Sequence, residues 1–577
     1  MNNVKTINRK MLLIYVTGII LACTIVICKL VYIMVFQSEY YTEKALDVQE
    51  RERKIKAPRG KILDRNGTVI ASNKTVCTIS VIYNQVKEPE KVIKVLAEEL
   101  EMDEAEVRKK VEKVSSREKV KSNVDKAIGD KIREYNLSGV KVDEDYKRYY
   151  PYESLASKVL GFTGADNQGI IGLEVKYEKY LKGTDGLILT PTDTRGMEME
   201  NALEQREEPV PGNNLITSID VNIQQYAEQI AYNTLEAKKA NYVSIIVMNP
   251  NNGEILAMVN APEFNLNDPY TLNYELSGDV SSKEKQDLLN KMWRNQCIND
   301  TYEPGSTFKV VTATAALENK VVTLDTTFSC PGFRIVDDRK IRCHKTTGHG
   351  SETFLQGTMN SCNPVFIDVG LKVGVKNFYN QLEKLGLLSK TGIDIPGEAG
   401  TIIHQMKNVG NVELATMSFG QSFQITPVQY LVAASAVVNG GKLVTPHFAI
   451  RAENSDGETV ENFTYTEKEG VVSKETSDTM KYVLEKVISE GTGSKGQVEG
   501  YKVGGKTATS QKLPRGSGKY IASFMGFAPA DDPEVIAMAI IDEPEGIYYG
   551  GQVAAPVISK LYQNILPYLL EEKEQGE

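Results

Sequence analysis

Ser306 and Lys309 stand three residues apart in the stretch EPGSTFKVVTATAALEN, and their types suit acyl transfer. A serine hydroxyl attacks a carbonyl only when a base takes its proton. A lysine amine serves as that base when burial and its neighbours keep it neutral. Pro304-Gly305 stops whatever precedes, and apolar residues at helical spacing follow. The two side chains are therefore expected on one face of a first helical turn. The start of such a helix also offers backbone N–H groups to a developing oxyanion. The same Ser-x-x-Lys spacing recurs at Ser116–Lys119 and Ser282–Lys285, inside charged segments that read as solvated surface, and no chemistry is assigned there.

A second candidate is Ser361-Cys362-Asn363, in front of the helix-like apolar run PVFIDVG. In Ser-x-Asn a hydroxyl can relay a proton and an amide can hold a substrate carbonyl. The plainer reading is a helix N-cap, a place that Ser and Asn favour. The third candidate is GYKVGGKTATSQK, which contains the phosphate-loop pattern at Gly500, Gly505, Lys506 and Thr507. A nucleotide loop needs an apolar strand before it and a helix after it. Here a polar, turn-rich stretch precedes, and Pro514, Gly516 and Gly518 follow. The segment reads instead as a strand that carries Lys506, Thr507, Ala508 and Thr509 at a sheet edge, with KYIASFMGFAP and EVIAMAIIDEP as the next two strands.

Other elements must hold these residues in place. YVSIIVMNPNNGEILAMVN reads as a hairpin around Pro-Asn-Asn-Gly, and VNIQQYAEQIAYNTLEAKKA before it as a helix. Residues 89–114 read as exposed amphipathic helices, and residues 51–73 as strand pieces broken by Asn66-Gly67. EEPVPGNNL, residues 207–215, looks like a linker. The expected blocks are a tail at 1–10, an apolar span at 11–36, a membrane-proximal domain at 37–214, a catalytic domain at 215–565 and a frayed acidic tail at 566–577.

The chain of 577 residues is too long for one ordinary domain. Its net charge of -9 leaves no basic footprint for nucleic acid. Residues 11–28 carry no charge and the apolar run resumes after Lys29, enough to cross a bilayer. Lys5, Arg9 and Lys10 before the span predict a cytoplasmic N-terminus, with the bulk of the chain outside the cell membrane. Seven cysteines are thinly spread, no Cys-x-x-Cys occurs and there are four histidines. A metal site is therefore not expected, and no cofactor either.

Ser-x-x-Lys, Ser-x-Asn and Lys-Thr-x in this order resemble the motif set of the penicillin-interacting serine transferases and hydrolases. The stretches RGKILDRNG, RYYPYESLASKVLGF, EPGSTFK, SFGQSFQITPVQ, GFAPADDPEVIAMAIIDEP and YYGGQVAAPV look like the class B penicillin-binding proteins, closest to the division and stage V sporulation protein D group, from about residue 50 to 565. That resemblance implies a mixed α/β catalytic domain. It would have a five-stranded antiparallel sheet, helices on both sides, and an elongated α+β pedestal beneath it. It implies a peptidoglycan D,D-transpeptidase in cell division or spore cortex synthesis, a target of β-lactams. Ser306 would be the nucleophile and Lys309 the base. Ser361 would relay a proton, Asn363 hold a substrate amide, Lys506 support that network, and Thr507 and Thr509 bind the terminal carboxylate of D-Ala-D-Ala. A membrane-embedded glycosyltransferase and division proteins are the implied partners.

The chain departs from the family at Ala508, where the third motif usually has Gly; the added Cβ narrows a place where the strand packs closely. A literal Lys-Thr-Gly at Lys390-Thr391-Gly392 lies in a connection and is rejected. Cys362 reads either as a small buried hydrophobe or as half of a redox disulfide. For the disulfide, Cys343–Cys362 and Cys330–Cys343 are both open, and the resemblance to the sporulation members favours the first. The competing functions are a D-Ala-D-Ala carboxypeptidase or β-lactamase-type hydrolase, a β-lactam sensor and an idle divisome scaffold. No Glu-x-x-Leu-Asn follows Ser361, which disfavours the β-lactamase.

Overall fold

Strand Val535–Asp542 is buried along its whole length, which places it inside a sheet covered on both faces. Ile536, Met538 and Ile540 enter one core, while Val535, Ala537, Ala539 and Ile541 enter another. That alternation is the period of two of a pleated strand with an apolar layer on each side. The computed structural model describes residues 2–38, 40–41, 50–192, 205–276, 278 and 280–576. Of the expected blocks, residue 1 of the tail, residues 39, 42–49 and 193–204 of the membrane-proximal domain, and residue 577 lie outside these, as do 277 and 279.

Five antiparallel strands form the central sheet: Ile255–Ala261, Tyr242–Met248, Val535–Asp542, Tyr520–Ala528 and Gly504–Gln511, in that spatial order. The expected hairpin and the three late strands are all present. Gly504–Gln511 is an edge strand, paired on one side only, with Lys506 opposite Met525 and Thr509 opposite Ala522. Helices Val221–Lys238 and Ala555–Gly576 contribute to one core. Helices Lys309–Glu318, Pro427–Val438 and Lys474–Ser489 contribute to the other. The last helix runs on to Gly576, so the expected frayed tail is helical. Buried Ile565 and Leu566 anchor it and the Glu and Lys residues beyond are good helix formers.

Packing divides the chain into two compact units that interleave in sequence. The first comprises Met1–Pro58, Lys74–Lys147 and Thr184–Val210, and the second Arg59–Asn73, Arg148–Gly183 and Pro211–Glu577. The chain passes for the last time from the first unit to the second at Val210–Pro211, and two earlier segments, Arg59–Asn73 and Arg148–Gly183, also pack with the second unit. One reason is a buried ion network. Arg59 Nε meets Glu174 Oε2 at 2.6 Å, and Arg148 Nε meets Glu174 Oε1 at 2.6 Å. All three side chains are at most 2% exposed. Isolated charges do not stay buried, so these partners hold the two segments together. Strand Asn214–Thr217 also pairs parallel with Ile62–Leu63 and antiparallel with Ala449–Glu453. The expected linker at 207–215 therefore begins and ends in strands.

Within the first unit, helices Pro89–Leu100 and Glu104–Val111 bury Val92, Ile93, Leu96, Leu100, Val107 and Val111 against strand Glu118–Asp125 and helix Lys126–Glu134. Asp103 caps the second helix, accepting from Ala105 N at 2.8 Å. The N-terminal helix Asn2–Phe36 contains a stretch, Lys10–Phe36, long and apolar enough to cross a membrane, with none of it buried against protein.

Candidate active site

The turn that carries Ser306 begins with a glycine that cannot be replaced freely. Gly305 has φ +58, and a Cβ there would lie 2.3 Å from Ser510 Oγ. Its N–H donates to Gly420 O at 2.9 Å. Gly305–Phe308 is a 3₁₀ turn, and the α-helix starts only at Lys309. This differs from the helix expected to start at Ser306, and the difference favours the chemistry. In a 3₁₀ turn residues i and i+3 eclipse, so Ser306 and Lys309 are aligned more closely than in an α-helix. The turn is held from outside: Tyr430 Oη donates to Thr307 O at 2.9 Å and Phe308 meets Phe423 edge to face, with ring centroids 4.6 Å apart.

Lys309 is fully buried. Its Nζ lies 2.7 Å from Ser361 O, 3.2 Å from Ser361 Oγ and 2.8 Å from Asn363 Oδ1. Lys506, also fully buried, places Nζ 3.0 Å from the same Ser361 Oγ and 3.2 Å from Thr507 O. Two amines thus converge on one hydroxyl. Burial pulls the Lys309 amine down to about 8. Burial, then repulsion from Lys309, pulls Lys506 well below the ordinary lysine range. Two protonated amines side by side in a dry site repel each other, so the arrangement favours a neutral one.

The Ser-x-Asn segment is more than a cap. Cys362 occupies the N-cap of helix Asn363–Lys384, and no side-chain capping bond is made there. The Ser361 hydroxyl faces the lysines instead, and Ser361 is held in the left-handed region at φ +54. Such strain is kept where surrounding structure enforces it, commonly at functional sites. Asn363 Nδ2 donates to Arg342 O at 3.1 Å. Its Oδ1 and Nδ2 each retain capacity for one further bond.

The strand Gly504–Gln511 brings the last residues. Ala508 is 3% exposed, and its Cβ would stand 3.5 Å from a Cβ on Gly305. That is ordinary van der Waals contact, so the methyl packs against the Ser306 turn without a clash. Thr507 and Thr509 take the other alternation of the strand. Thr509 Oγ1 accepts from Gly550 N at 3.0 Å, which leaves its proton free to donate. The rejected Lys390-Thr391-Gly392 is a connection whose Thr391 and Gly392 bind the Glu398 carboxylate. Ser282–Lys285 sits on an exposed helix capped by Ser281.

Sequence reasoning missed several contributors. Ser510 Oγ is buried beside Gly305 and has no hydrogen-bond partner among the described residues. Its place one step past Thr509 on the strand was the available signal. Tyr430 and Gly420 support the turn from distant segments that carry no spacing signal.

The structure brings four potential donor groups together that the sequence spacing did not suggest. Cys330, Cys343, His349 and Cys362 bring one ligand atom each within 4.8 Å of one another. Cys330, Cys343 and His349 lie at or beside strand ends, and Cys362 at the head of helix Asn363–Lys384, so no Cys-x-x-Cys spacing is needed to bring them together. All described cysteines are free thiols. Cys343 and Cys362, the proposed redox pair, are neighbours. A hydrogen bond from Cys362 holds Cys343 below the usual thiol range and pushes Cys362 up.

A family model described as the penicillin binding protein transpeptidase domain matches residues 243–563, and one described as the penicillin-binding protein dimerisation domain matches residues 54–217. A stage V sporulation protein D from Bacillus subtilis (strain 168) is 39% identical over 98% of this chain and 86% of its own length. A peptidoglycan D,D-transpeptidase MrdA from Acinetobacter baumannii is 29% identical over 94% of this chain and 86% of its own. A crystal structure of penicillin binding protein 2X from Streptococcus thermophilus superposes with a TM-score of 0.75 at 23% identity, covering 91% of this chain and 82% of that one.

Proposed function

The chain belongs to the class B penicillin-binding proteins, peptidoglycan D,D-transpeptidases of cell-wall synthesis, and from that premise we propose that its reaction runs through an acyl group on Ser306. The observation that carries the proposal is the buried network in which Lys309 and Lys506 share the Ser361 hydroxyl at the foot of the Ser306 turn.

A neutral Lys309 has two N–H groups, enough for Ser361 O and Asn363 Oδ1, and its lone pair then takes the Ser306 proton. The Ser306 oxygen attacks the penultimate D-Ala carbonyl of a stem peptide. Negative charge on that carbonyl oxygen is met by the N–H groups of Ser306 and Thr509. Ser361 passes a proton to the leaving nitrogen and the terminal D-Ala departs. Asn363 holds the substrate amide, Lys506 keeps Ser361 oriented, and Thr507 and Thr509 donate to the terminal carboxylate. The amine of a second stem peptide then takes the acyl group and frees Ser306. A β-lactam follows the first step and stays on the serine.

In this reading residues 37–214 form the pedestal and 215–565 the transpeptidase domain, anchored by the 11–36 span with the N-terminus in the cytoplasm. Class B members do not polymerise glycan, so a membrane-embedded glycosyltransferase is the expected partner, alongside division proteins. Labelling with a fluorescent penicillin tests the central step. Wild type should yield one acylated peptide containing Ser306, and Ser306→Ala none. Label retained by Ser306→Ala, or mapped to another residue, overturns the proposal.

A further inference from the structure

We propose that Cys330, Cys343, His349 and Cys362 bind one tetrahedral zinc-class cation that ties the catalytic Ser361–Asn363 segment to the small β subdomain beside it. This goes beyond the acyl-transfer reading and does not depend on it. The geometry comes first. Cys330 Sγ and Cys343 Sγ lie 3.5 and 3.7 Å from His349 Nδ1. Zinc–sulfur and zinc–nitrogen bonds of ordinary length, arranged tetrahedrally, put sulfur and nitrogen about 3.6 Å apart and two sulfurs about 3.8 Å apart. The printed separations and the 4.8 Å span of the whole cluster fit a cage that needs little movement to close.

Three thiols and one imidazole form a soft donor set of the kind that selects zinc over magnesium or calcium. The three cysteines are at most 2% exposed, and the His349 side chain is 8% exposed. A disulfide would use two of the sulfurs and leave the third, the imidazole and a nearby carboxylate unanswered. That carboxylate is a separate indication. Glu352 is 3% exposed, and its Oε2 accepts from Asn360 Nδ2 at 3.0 Å. Its Oε1 is buried and lies 3.9 Å from His349 Nδ1, with the Cys362 thiol as a further neighbour of the carboxylate. A buried acceptor of this kind, facing a group of sulfurs, is satisfied by positive charge inside the cage.

Backbone pairing accounts for where each donor sits. Strand Thr327–Cys330 pairs with Gly350–Thr353, which sets Cys330 opposite Gly350 and hence beside His349. The hairpin Phe333–Val336 with Arg339–Arg342 returns the chain, and Cys343 N donates to Gly332 O at 2.9 Å. Cys362 N donates to Gly357 O at 2.8 Å at the head of its helix. Because Cys362 lies between Ser361 and Asn363, a metal bond to its sulfur would brace the left-handed backbone at Ser361 from outside the cleft.

The test uses the full-length protein in detergent, purified under reducing conditions, supplied with zinc chloride and desalted. Elemental analysis should find about one zinc per chain, and cobalt exchanged into it should give a tetrahedral d–d spectrum with a thiolate charge-transfer band. Cys330→Ser and His349→Ala should each lose the metal or bind it at least about tenfold more weakly, whereas Cys77→Ser, outside the cluster, should keep it. If the cluster variants do not fold, chelation of the wild type replaces them: removing zinc should lower the melting temperature and zinc should restore it. Three results overturn the proposal. They are no metal retained by reduced protein, a cobalt spectrum unchanged in Cys330→Ser, and a Cys343–Cys362 disulfide whose reduction yields no metal binding.

Discussion

The rate at which a β-lactam acylates Ser306 should depend on pH through Lys309. An ordinary lysine, near 10.4, is neutral in only about 0.04% of molecules at pH 7. Burial brings Lys309 to about 8, where about 10% are neutral at the same pH. The site therefore holds roughly 250-fold more base than a solvated lysine would supply. The sign follows from the proton count. The reactive form has lost a proton, so the second-order acylation rate should rise about tenfold per unit below pH 8 and level off above it. Stopped-flow fluorescence with a penicillin whose own charge does not change over this range gives the profile. Lys309→Arg supplies the control. A guanidinium stays protonated at every accessible pH, so the variant should lose the rise and about 10²–10⁴-fold of the rate. A flat wild-type profile from about pH 6 to about pH 9, or a Lys309→Arg variant that keeps the wild-type slope, would refute Lys309 as the base.

Other expectations follow from the same geometry. Ala508→Gly removes a buried methyl that faces Gly305, and should raise the rate of penicillin acylation while lowering stability by about 0.5–1 kcal/mol; equal acylation rates in a fluorescent-penicillin assay would contradict this. Gly305→Ala forces a Cβ to within 2.3 Å of Ser510 Oγ at φ +58, and should abolish labelling while costing at least about 1–2 kcal/mol in a denaturant melt. Glu174→Ala leaves Arg59 and Arg148 buried without their shared carboxylate, and should destabilise the catalytic unit by about 3–5 kcal/mol, read as a lower urea midpoint.

Much of this protein is legible in the order and local pattern of its residues. The apolar alternation of the three late strands and the Pro-Asn-Asn-Gly hairpin needed only neighbours a few positions away. The ordered motifs of Ser306, Ser361 and Lys506 pointed to the family, since residue type and sequence order survive without coordinates. The plain cap reading of Ser361-Cys362-Asn363 fell only to three-dimensional fact, because the partners of that hydroxyl are lysines 52 and 145 positions away.

Tertiary structure decided what depends on distant segments. The 3₁₀ turn at Ser306 rests on Gly420, Tyr430 and the Gly504–Gln511 strand, so a helical pattern alone reads as an α-helix from the start. The catalytic unit recruits Arg59 and Arg148 because Glu174 pairs with both, and pairing of buried charges leaves no periodic trace. Cys330, Cys343, His349 and Cys362 stand 13, 6 and 13 positions apart, a spacing with no local meaning. Strand pairing and the head of helix Asn363–Lys384 turn that spacing into a cluster 4.8 Å across, because paired strands bring residues far apart along the chain to the same end of a ladder.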